Sequence, residues 1–411
     1  LTDYTYSMPA VFLTQGNAGI IRAAAEQHTS KAGIPYYTGT ITIKSARSGN
    51  YDNSQFKTMS SFSSWGVPGD LSLKPEITAP GGNIYSVNGV DPSGTAYELM
   101  SGTSMAAPQV SGLVAVLQQY LRENGITVPG LNARALAQSL LMATAEPMLE
   151  GTSGSYYSVF QQGAGLADVS AAIASPVHVT VDGMADGKVK VELGDDPQRT
   201  GTYSFSFKLH NLGSQELRYA VHADLFTQNI FFDDMGNGYM DTLTRALDGT
   251  TRFYVDGVEL TTGELNADWD FDGNGDVTKA DAQALLNFVT TGAALTANSD
   301  AADLSGDGAV TTYDVHLLLK ALYTNVTIPA GGSISVAVTM ELSDAEKARL
   351  DAETPNGAYL EAYVFASPVS STDEVLPRLS IPVLGFYGCW TDPSMFDAGT
   401  QVTHATGEET H

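Results

Sequence analysis

The sequence predicts a multi-domain chain: an α/β region first, an all-β sandwich after it, and a small helical unit set within the sandwich. Three observations predict this. Up to about residue 175, apolar segments of strand and helix length alternate. From Val177 the texture changes to period-two alternation punctuated by turns. Between Thr262 and Val326 that alternation stops, and two acidic loops appear, each followed by a short helical run.

Size and composition agree with several domains. A chain of 411 residues holds two to four of them, and a hydrophobic content of 43% is ample for real cores. With 20 basic and 46 acidic residues the formal net charge is −26, which repels nucleic acid and anionic membranes and suits cation ligation. The single cysteine, Cys389, forms no intrachain disulfide and reads as a packed thiol. No apolar run approaches the ~20 residues of a membrane span. There is no signal peptide and the first residue is Leu1, so the sequence reads as a piece of a longer chain, cut at both ends.

In chain order, Met8 to Leu13 reads as a strand and Ala18 to Gln27 as a helix. Thr40 to Ala46 alternates like a strand. The segment from Phe62 to Gly66 and that from Leu73 to Gly82, with two prolines and a glycine pair, read as a loop crossing the sheet. Then comes Tyr97-Glu98-Leu99-Met100-Ser101-Gly102-Thr103-Ser104-Met105-Ala106-Ala107-Pro108, leading into a helix over Val110 to Tyr120. Gly102 permits a sharp turn and a close backbone approach. Ser104 is thereby expected at a helix N-terminus, where free N–H groups and the dipole favour the oxyanion of acyl transfer. Pro108 is expected in the first helical turn, where its missing N–H costs nothing. A second helix is expected over Ala133 to Ala145, followed by Gln162-Gly163-Ala164-Gly165-Leu166-Ala167-Asp168.

The string Gly102 to Pro108 resembles the nucleophile motif of the subtilisin family residue for residue. The loop from Leu73 to Gly82 is similar to the segment that precedes the nucleophile there, and Gln162 to Asp168 resembles the end of that catalytic domain. The resemblance implies that Ser104 is the catalytic nucleophile, with Gly102 and Thr103 beside the substrate. Residues 31–175 are then the C-terminal part of a subtilisin-like catalytic domain. Residues 1–30 resemble the end of a protease-associated domain, which some large subtilases carry upstream of the nucleophile.

Beyond Val177, the alternations Tyr203/Phe205/Phe207/Leu209 and Ile334/Val336/Val338/Met340 and the run from Tyr359 to Phe365 read as antiparallel sandwich strands. Turns are expected at Asp186-Gly187, Gly331-Gly332 and Asn356-Gly357. The closing stretch Leu379 to Gly388 resembles the end of the fibronectin type III-like domain of cell-envelope, lactocepin-like subtilases. The sandwich is assigned to 176–262 and 325–390, and 391–411 to a flexible tail.

The helical unit, 263–324, holds one pattern twice. In the first copy Asp270, Asp272, Asn274, Thr278 and Asp281 occupy loop positions 1, 3, 5, 9 and 12; in the second they are Asp303, Ser305, Asp307, Thr311 and Asp314. Position 7, Asp276 or Ala309, offers a backbone carbonyl, and position 6 is glycine. This is EF-hand loop chemistry, alternate residues of a tight loop supplying oxygens to Ca²⁺, and two ions are expected. Helices are expected over Ala282 to Val289 and Val315 to Leu322. The duplication resembles a type I dockerin, which implies a cohesin-bearing scaffold protein as partner. In dockerins the pair at loop positions 10 and 11 helps choose the cohesin; here it is Lys279-Ala280 in one copy and Thr312-Tyr313 in the other.

The family's triad runs Asp, His, Ser, so partners of Ser104 must precede it. Only His28 does, in no His-Gly-Thr context and at the end of the expected polar helix, and Asp3, Asp52, Asp70 and Asp91 lie in no matching motif. His178, His210, His222, His316, His404 and His411 follow the serine. The expectation is a secreted or cell-surface serine endopeptidase of protein substrates, present as a C-terminal fragment that is inactive alone. The rival is a non-catalytic, calcium-dependent scaffold-docking protein of protease ancestry.

Overall fold

The computed structural model describes residues 21–31, 33, 35–40, 58–88, 96–151, 154–232, 238–260, 265–322, 324–369 and 376–391, with the backbone at 401–402 and 409–410. The chain divides into two units, Leu1–Phe56 and Lys57–His411. In the first, β1 (Glu26–Thr29) pairs antiparallel with β2 (Pro35–Thr38). The helix expected from Ala18 to Gln27 is helical over 21–24 and then becomes β1. The alanine run ends at Ala25, and opposite Gln27 and His28 stand Tyr37 and Tyr36, residues suited to a strand. The strand expected at 8–13, and that at 40–46 beyond Thr40, lie outside the described residues.

The second unit begins with irregular chain from 58 to 83, with turns at 61–62 and 69–70, then a hairpin of β3 (Ile84–Val87) and β4 (Tyr97–Met100). Next come α1 (Thr103–Glu123), α2 (Ala133–Ala143), the single turn α3 (Val159–Gln162) and α4 (Val169–Ala174). Leu113, Leu117 and Leu121 recur on one face of α1 and meet Leu136, Leu140 and Leu141 of α2 and Ala172 of α4. Asn132 caps α2 through the Ala135 N–H at 2.9 Å. That helix stops two residues short of Ala145, where Glu146 turns to pair with Leu166.

The β region runs β5 (Val177–Val181), β6 (Val191–Asp196), β7 (Thr202–Asn211), β8 (Leu217–Phe232), β9 (Gly238–Ala246), β10 (Gly249–Val255) and β11 (Val258–Glu259). Two helices follow, α5 (Lys279–Thr291) and α6 (Thr312–Leu322), each longer than expected because each starts inside its acidic loop. Then come β12 (Thr324–Ile328), β13 (Ser333–Leu342), α7 (Asp344–Glu353), β14 (Ala358–Pro368) and β15 (Leu379–Tyr387). One sheet has the order β11-β10-β13-β7-β5, the other β12-β8-β14-β15-β6, with β9 on the far half of β8. Side chains of both sheets, among them Phe207, Val336, Tyr219, Val364 and Ile381, join in one core. The second sheet is mixed rather than purely antiparallel, because β15 lies parallel to β6. α7 was not expected: it is polar along most of its length, and Leu350 and Glu346 are its buried residues. Cys389 is half-buried beside the Thr391 hydroxyl at 3.3 Å, not packed in a core. Of the tail, 401–402 pairs with 409–410, and 392–400 and 403–408 lie outside the described residues.

The helical region and the sheets share a seam. Leu73, Val159 and Phe160 pack against Phe226, Tyr363, Phe365 and Leu384. Glu361 of β14 is fully buried there, and its Oε2 accepts from the Ser158 hydroxyl at 2.5 Å and the Val159 N–H at 2.6 Å. The Tyr363 hydroxyl donates to the Gly163 carbonyl at 2.7 Å, and Ser380 to that of Ala145 at 3.1 Å. A little further along, the buried Lys190 donates to the Leu73 carbonyl at 2.9 Å while Glu192 accepts the Leu73 N–H at 2.7 Å. These bonds tie the chain at Leu73 to β6 and the residue before it.

Burial pushes the Glu361 carboxyl up from 4.5 to about 7, against the opposing pull of the Ser158 and Val159 bonds. The titratable groups that face it are the hydroxyls of Tyr359 and Tyr363. Between those two pH values the folded chain holds a proton that the unfolded chain has released, so this group's contribution falls as pH rises. Glu361→Gln, which stays neutral, should gain on the native chain by on the order of 3 kcal/mol from pH 5 to pH 8. Denaturant unfolding of both chains across that range measures it; a difference independent of pH would refute it.

Candidate functional site

Ser104 is the second residue of α1 and is exposed. Gly102 caps the helix at φ 157° and ψ 160°, a region essentially reserved for glycine. Its N–H donates to the Gly81 carbonyl at 2.8 Å, and a Cβ on Gly81 would lie 2.8 Å from the Gly102 oxygen. Two glycines thus let the preceding loop touch the turn that presents the serine. Gln109 donates to the Pro80 carbonyl at 2.7 Å and the Ser101 hydroxyl accepts the Asn83 N–H at 2.8 Å, which fixes 80–83 against the helix start. Behind it, Thr78 lies between Gly165 and Ala167, bonded to both at 2.9 Å.

α1 begins seven residues earlier than Val110, so Pro108 sits in its second turn, not its first. The reason is the start at Thr103, and its effect is local: proline cannot donate to the Ser104 carbonyl, whose ladder bond is forfeited. Of the first-turn N–H groups, that of Met105 donates to the Gly102 carbonyl at 3.0 Å, while those of Thr103 and Ser104 have no acceptor within the helix. A cavity of about 580 Å³ opens beside Ser104, lined by Ile84, Val87, Met100, Met105 and Pro108 with Glu98 as its carboxylate. Gly102 and Thr103 stand next to Ser104 but do not line this cavity.

None of the histidines among the described residues lines it either. His28 belongs to the first unit, in β1 rather than at a helix end, with Nε2 2.8 Å from the Thr38 hydroxyl. His178 and His210 stack at 4.4 Å between β5 and β7, and burial, with His210 beside it, takes His178 down to about 4. Sequence reasoning missed the β3–β4 hairpin, the Glu98 carboxylate and the Ser101 and Gln109 braces. The alternation of Tyr85 and Val87 with Tyr97 and Leu99 was the available signal.

The two acidic loops fold alike. In the first, Asp270 accepts from the N–H groups of Gly273, Asn274 and Gly275, and the fully buried Asp281 from those of Phe271, Asp272 and Thr278. In the second, Asp303 accepts from Gly306, Asp307 and Gly308, and the buried Asp314 from Ser305 and Thr311. Gly275 and Gly308 make the sharp turns at φ 97° and 89°. Asp270, Asp272 and Asp281 offer oxygens within 4.8 Å of one another, a donor set that suits a hard cation. The Gly308 N–H, above all, holds the Asp303 carboxyl below its usual range; for Asp314 burial raises it, and bonds from Thr311 and Ser305 outweigh that. Ionised carboxylates are what Ca²⁺ requires. Asn274, Asp276, Thr278, Asp307, Ala309 and Thr311 follow the loops at their expected positions. A small core of Phe271, Ala282, Leu285, Ala302, Val315 and Leu318 joins the copies.

One junction was not legible from sequence. Asp224 of β8 takes Lys279 of α5 on Oδ1 at 2.9 Å and the Tyr156 hydroxyl on Oδ2 at 3.0 Å. It links the acidic-loop unit, the sheet and the helical region at one carboxylate.

Comparison with known proteins assigns families to two segments of the chain. The subtilase family model matches residues 10–165, and the dockerin type I domain model matches 268–323, C-terminal to the first. A C5a peptidase of Streptococcus pyogenes serotype M6 is 33% identical over 163 residues, 39% of this chain and 13% of that protein. A PII-type proteinase of Lactococcus lactis subsp. cremoris is 34% identical over 185 residues, 42% of this chain and 9% of that protein. The chain therefore spans a small part of the relatives it matches. Among solved structures, a family 123 glycoside hydrolase from Clostridium perfringens covers 47% of this chain and 22% of its own at 5% identity, with a TM-score of 0.18 that carries no argument. Among the described residues no helix is long and apolar enough to cross a membrane.

Proposed function

We propose that this chain is the C-terminal part of a subtilisin-like serine endopeptidase of the cell-envelope, lactocepin-like type, acting on proteins outside the cell. The observation that carries the reading is an exposed Ser104 at the open N-terminus of α1, beside a cavity and braced by the 80–83 loop. In this reading the Ser104 hydroxyl attacks the peptide carbonyl, and its own N–H helps hold the oxyanion. The two-sheet region, 176–262 with 325–390, acts as a fibronectin type III-like accessory module. The 263–324 unit is a dockerin set into it, holding two Ca²⁺ through its carboxylates and attaching the enzyme to a cohesin-bearing scaffold. In this reading residues 31–175 belong to the catalytic domain, and because the subtilase match already begins at residue 10, a protease-associated domain is left only the residues before it.

The chain of 411 residues should have no measurable peptidase activity by itself, because a serine without a base is a poor nucleophile. Purified protein incubated with casein, with and without a serine-directed phosphonate, tests this; robust phosphonate-sensitive cleavage would overturn it. The absence of a histidine from the lining of the Ser104 cavity, among the described residues, also suits a second reading, a scaffold-docking protein that kept protease ancestry. The coding sequence immediately upstream separates them: an Asp motif and a His-Gly-Thr motif support the enzyme, and their lack supports the docking protein.

A further inference from the structure

We infer that the two acidic loops take up Ca²⁺ in order, the first before the second, and that Asp224 of β8 helps set that order from outside the unit. This rests on the calcium reading above and concerns how its two sites differ. Affinity in such loops follows carboxylate charge and rigidity. The first loop leads on both counts. It carries four aspartates, Asp270, Asp272, Asp276 and Asp281, against Asp303, Asp307 and Asp314 in the second. Asp270, Asp272 and Asp281 already bring oxygens within 4.8 Å of one another.

Bonds from outside the first loop hold it still. The Phe271 carbonyl accepts the N–H groups of Thr296 and Ala297 at 3.0 and 3.2 Å, and the Asp270 carbonyl accepts from the Asn298 side chain at 2.9 Å. Phe271 is fully buried, whereas Leu304, its counterpart in the second loop, is half-buried. Among the described residues, the side-chain hydrogen bonds of 303–314 all close within that stretch. A loop braced in advance loses less freedom when it closes on an ion.

Lys279 would work against the first loop if left alone. It follows Thr278, loop position 9, and its ammonium repels a cation held there. Asp224 takes that ammonium on Oδ1 at 2.9 Å and is itself fixed by the Tyr156 hydroxyl on Oδ2 at 3.0 Å. This carboxylate offsets the lysine charge and pins the start of α5, the helix that carries Asp281. Asp224 is thus a positioning residue for a site it does not touch.

Hydrogen exchange of the full chain against free Ca²⁺ tests this, because it reads each loop separately. Residues 270–281 should become protected at a free Ca²⁺ at least about tenfold below that for 303–314. Asp224→Asn should raise the midpoint of the first loop about threefold and leave that of the second unchanged. Asp224→Glu, which keeps the charge, should restore the native midpoint. Two Ca²⁺ bound per chain in every variant, counted by calorimetry, is the control for folding. Equal midpoints in the native chain, or protection of 303–314 first, overturn the inference. A shift of both loops alike in Asp224→Asn, or of neither, overturns the part given to Asp224. If neither loop of the native chain responds to Ca²⁺, the calcium reading itself fails and this inference fails with it.

Discussion

Ser104→Ala, made in a longer protein that carries the rest of the catalytic domain, should lower kcat by about 10⁶, the scale found for the nucleophile in subtilisin. The effect is that large because nothing else at the start of α1 can take the acyl group. Thr103 lies one residue away, but a step of one residue turns a helical side chain by about 100°. Met105 is a thioether. The 80–83 braces and the Gly81–Gly102 approach do not involve the Ser104 hydroxyl, so the variant should keep its fold and its thermal midpoint. Parallel measurement of kcat on casein and of the melting temperature checks both halves. Activity within tenfold of native would place the nucleophile elsewhere.

Removing calcium should loosen the 265–322 unit and spare the rest. Its shared core is small, and Asp270, Asp272 and Asp281 crowd their oxygens within 4.8 Å. Without a cation those charges repel at short range. An ion bound by the folded unit alone stabilises it by about 2.7 kcal/mol at a hundredfold excess over its dissociation constant. Chelation should therefore speed proteolysis within this segment by about a hundredfold, while the core around Leu117, Leu140 and Ala172 stays protected. Asp270→Ala combined with Asp303→Ala should abolish both sites in a calorimetric titration. Equal cleavage rates with and without chelator would rule out the calcium reading.

What the sequence discloses here is what depends on neighbours in the chain. Ser104 was legible because the contiguous string Gly102 to Pro108 resembles a family motif, and the acidic loops because about a dozen residues carry oxygen-bearing side chains at alternate positions twice over. The strands with strict alternation, such as Thr202–Asn211 and Ser333–Leu342, were legible for the same reason. The Glu361 and Ser158 contact joins residues 203 positions apart, and Asp224 meets Tyr156 across 68. Periodicity carries no trace of such pairs. β1 was misread because helix propensity at Ala23 to Ala25 gave way to a pairing partner ten residues on. The parallel partner of β15 was hidden too, since alternation does not reveal strand direction.

Where the acidic-loop unit joins the chain has a mechanical meaning. It leaves β11, the edge of one sheet, and returns through β12, the edge of the other. A module carried on a tail passes any pull on it into a single strand end. Here a pull on the unit divides between two sheets and meets them at unequal anchors: β11 holds its neighbour over two residue pairs and β12 over five. Under load the β11 side, with fewer pairs, should peel first, and β12 should keep the tether attached to the second sheet, whose central strand β14 grips the helical region through Glu361 and Tyr363. Strain from a moving scaffold would then be absorbed at a short hairpin before it reached the serine.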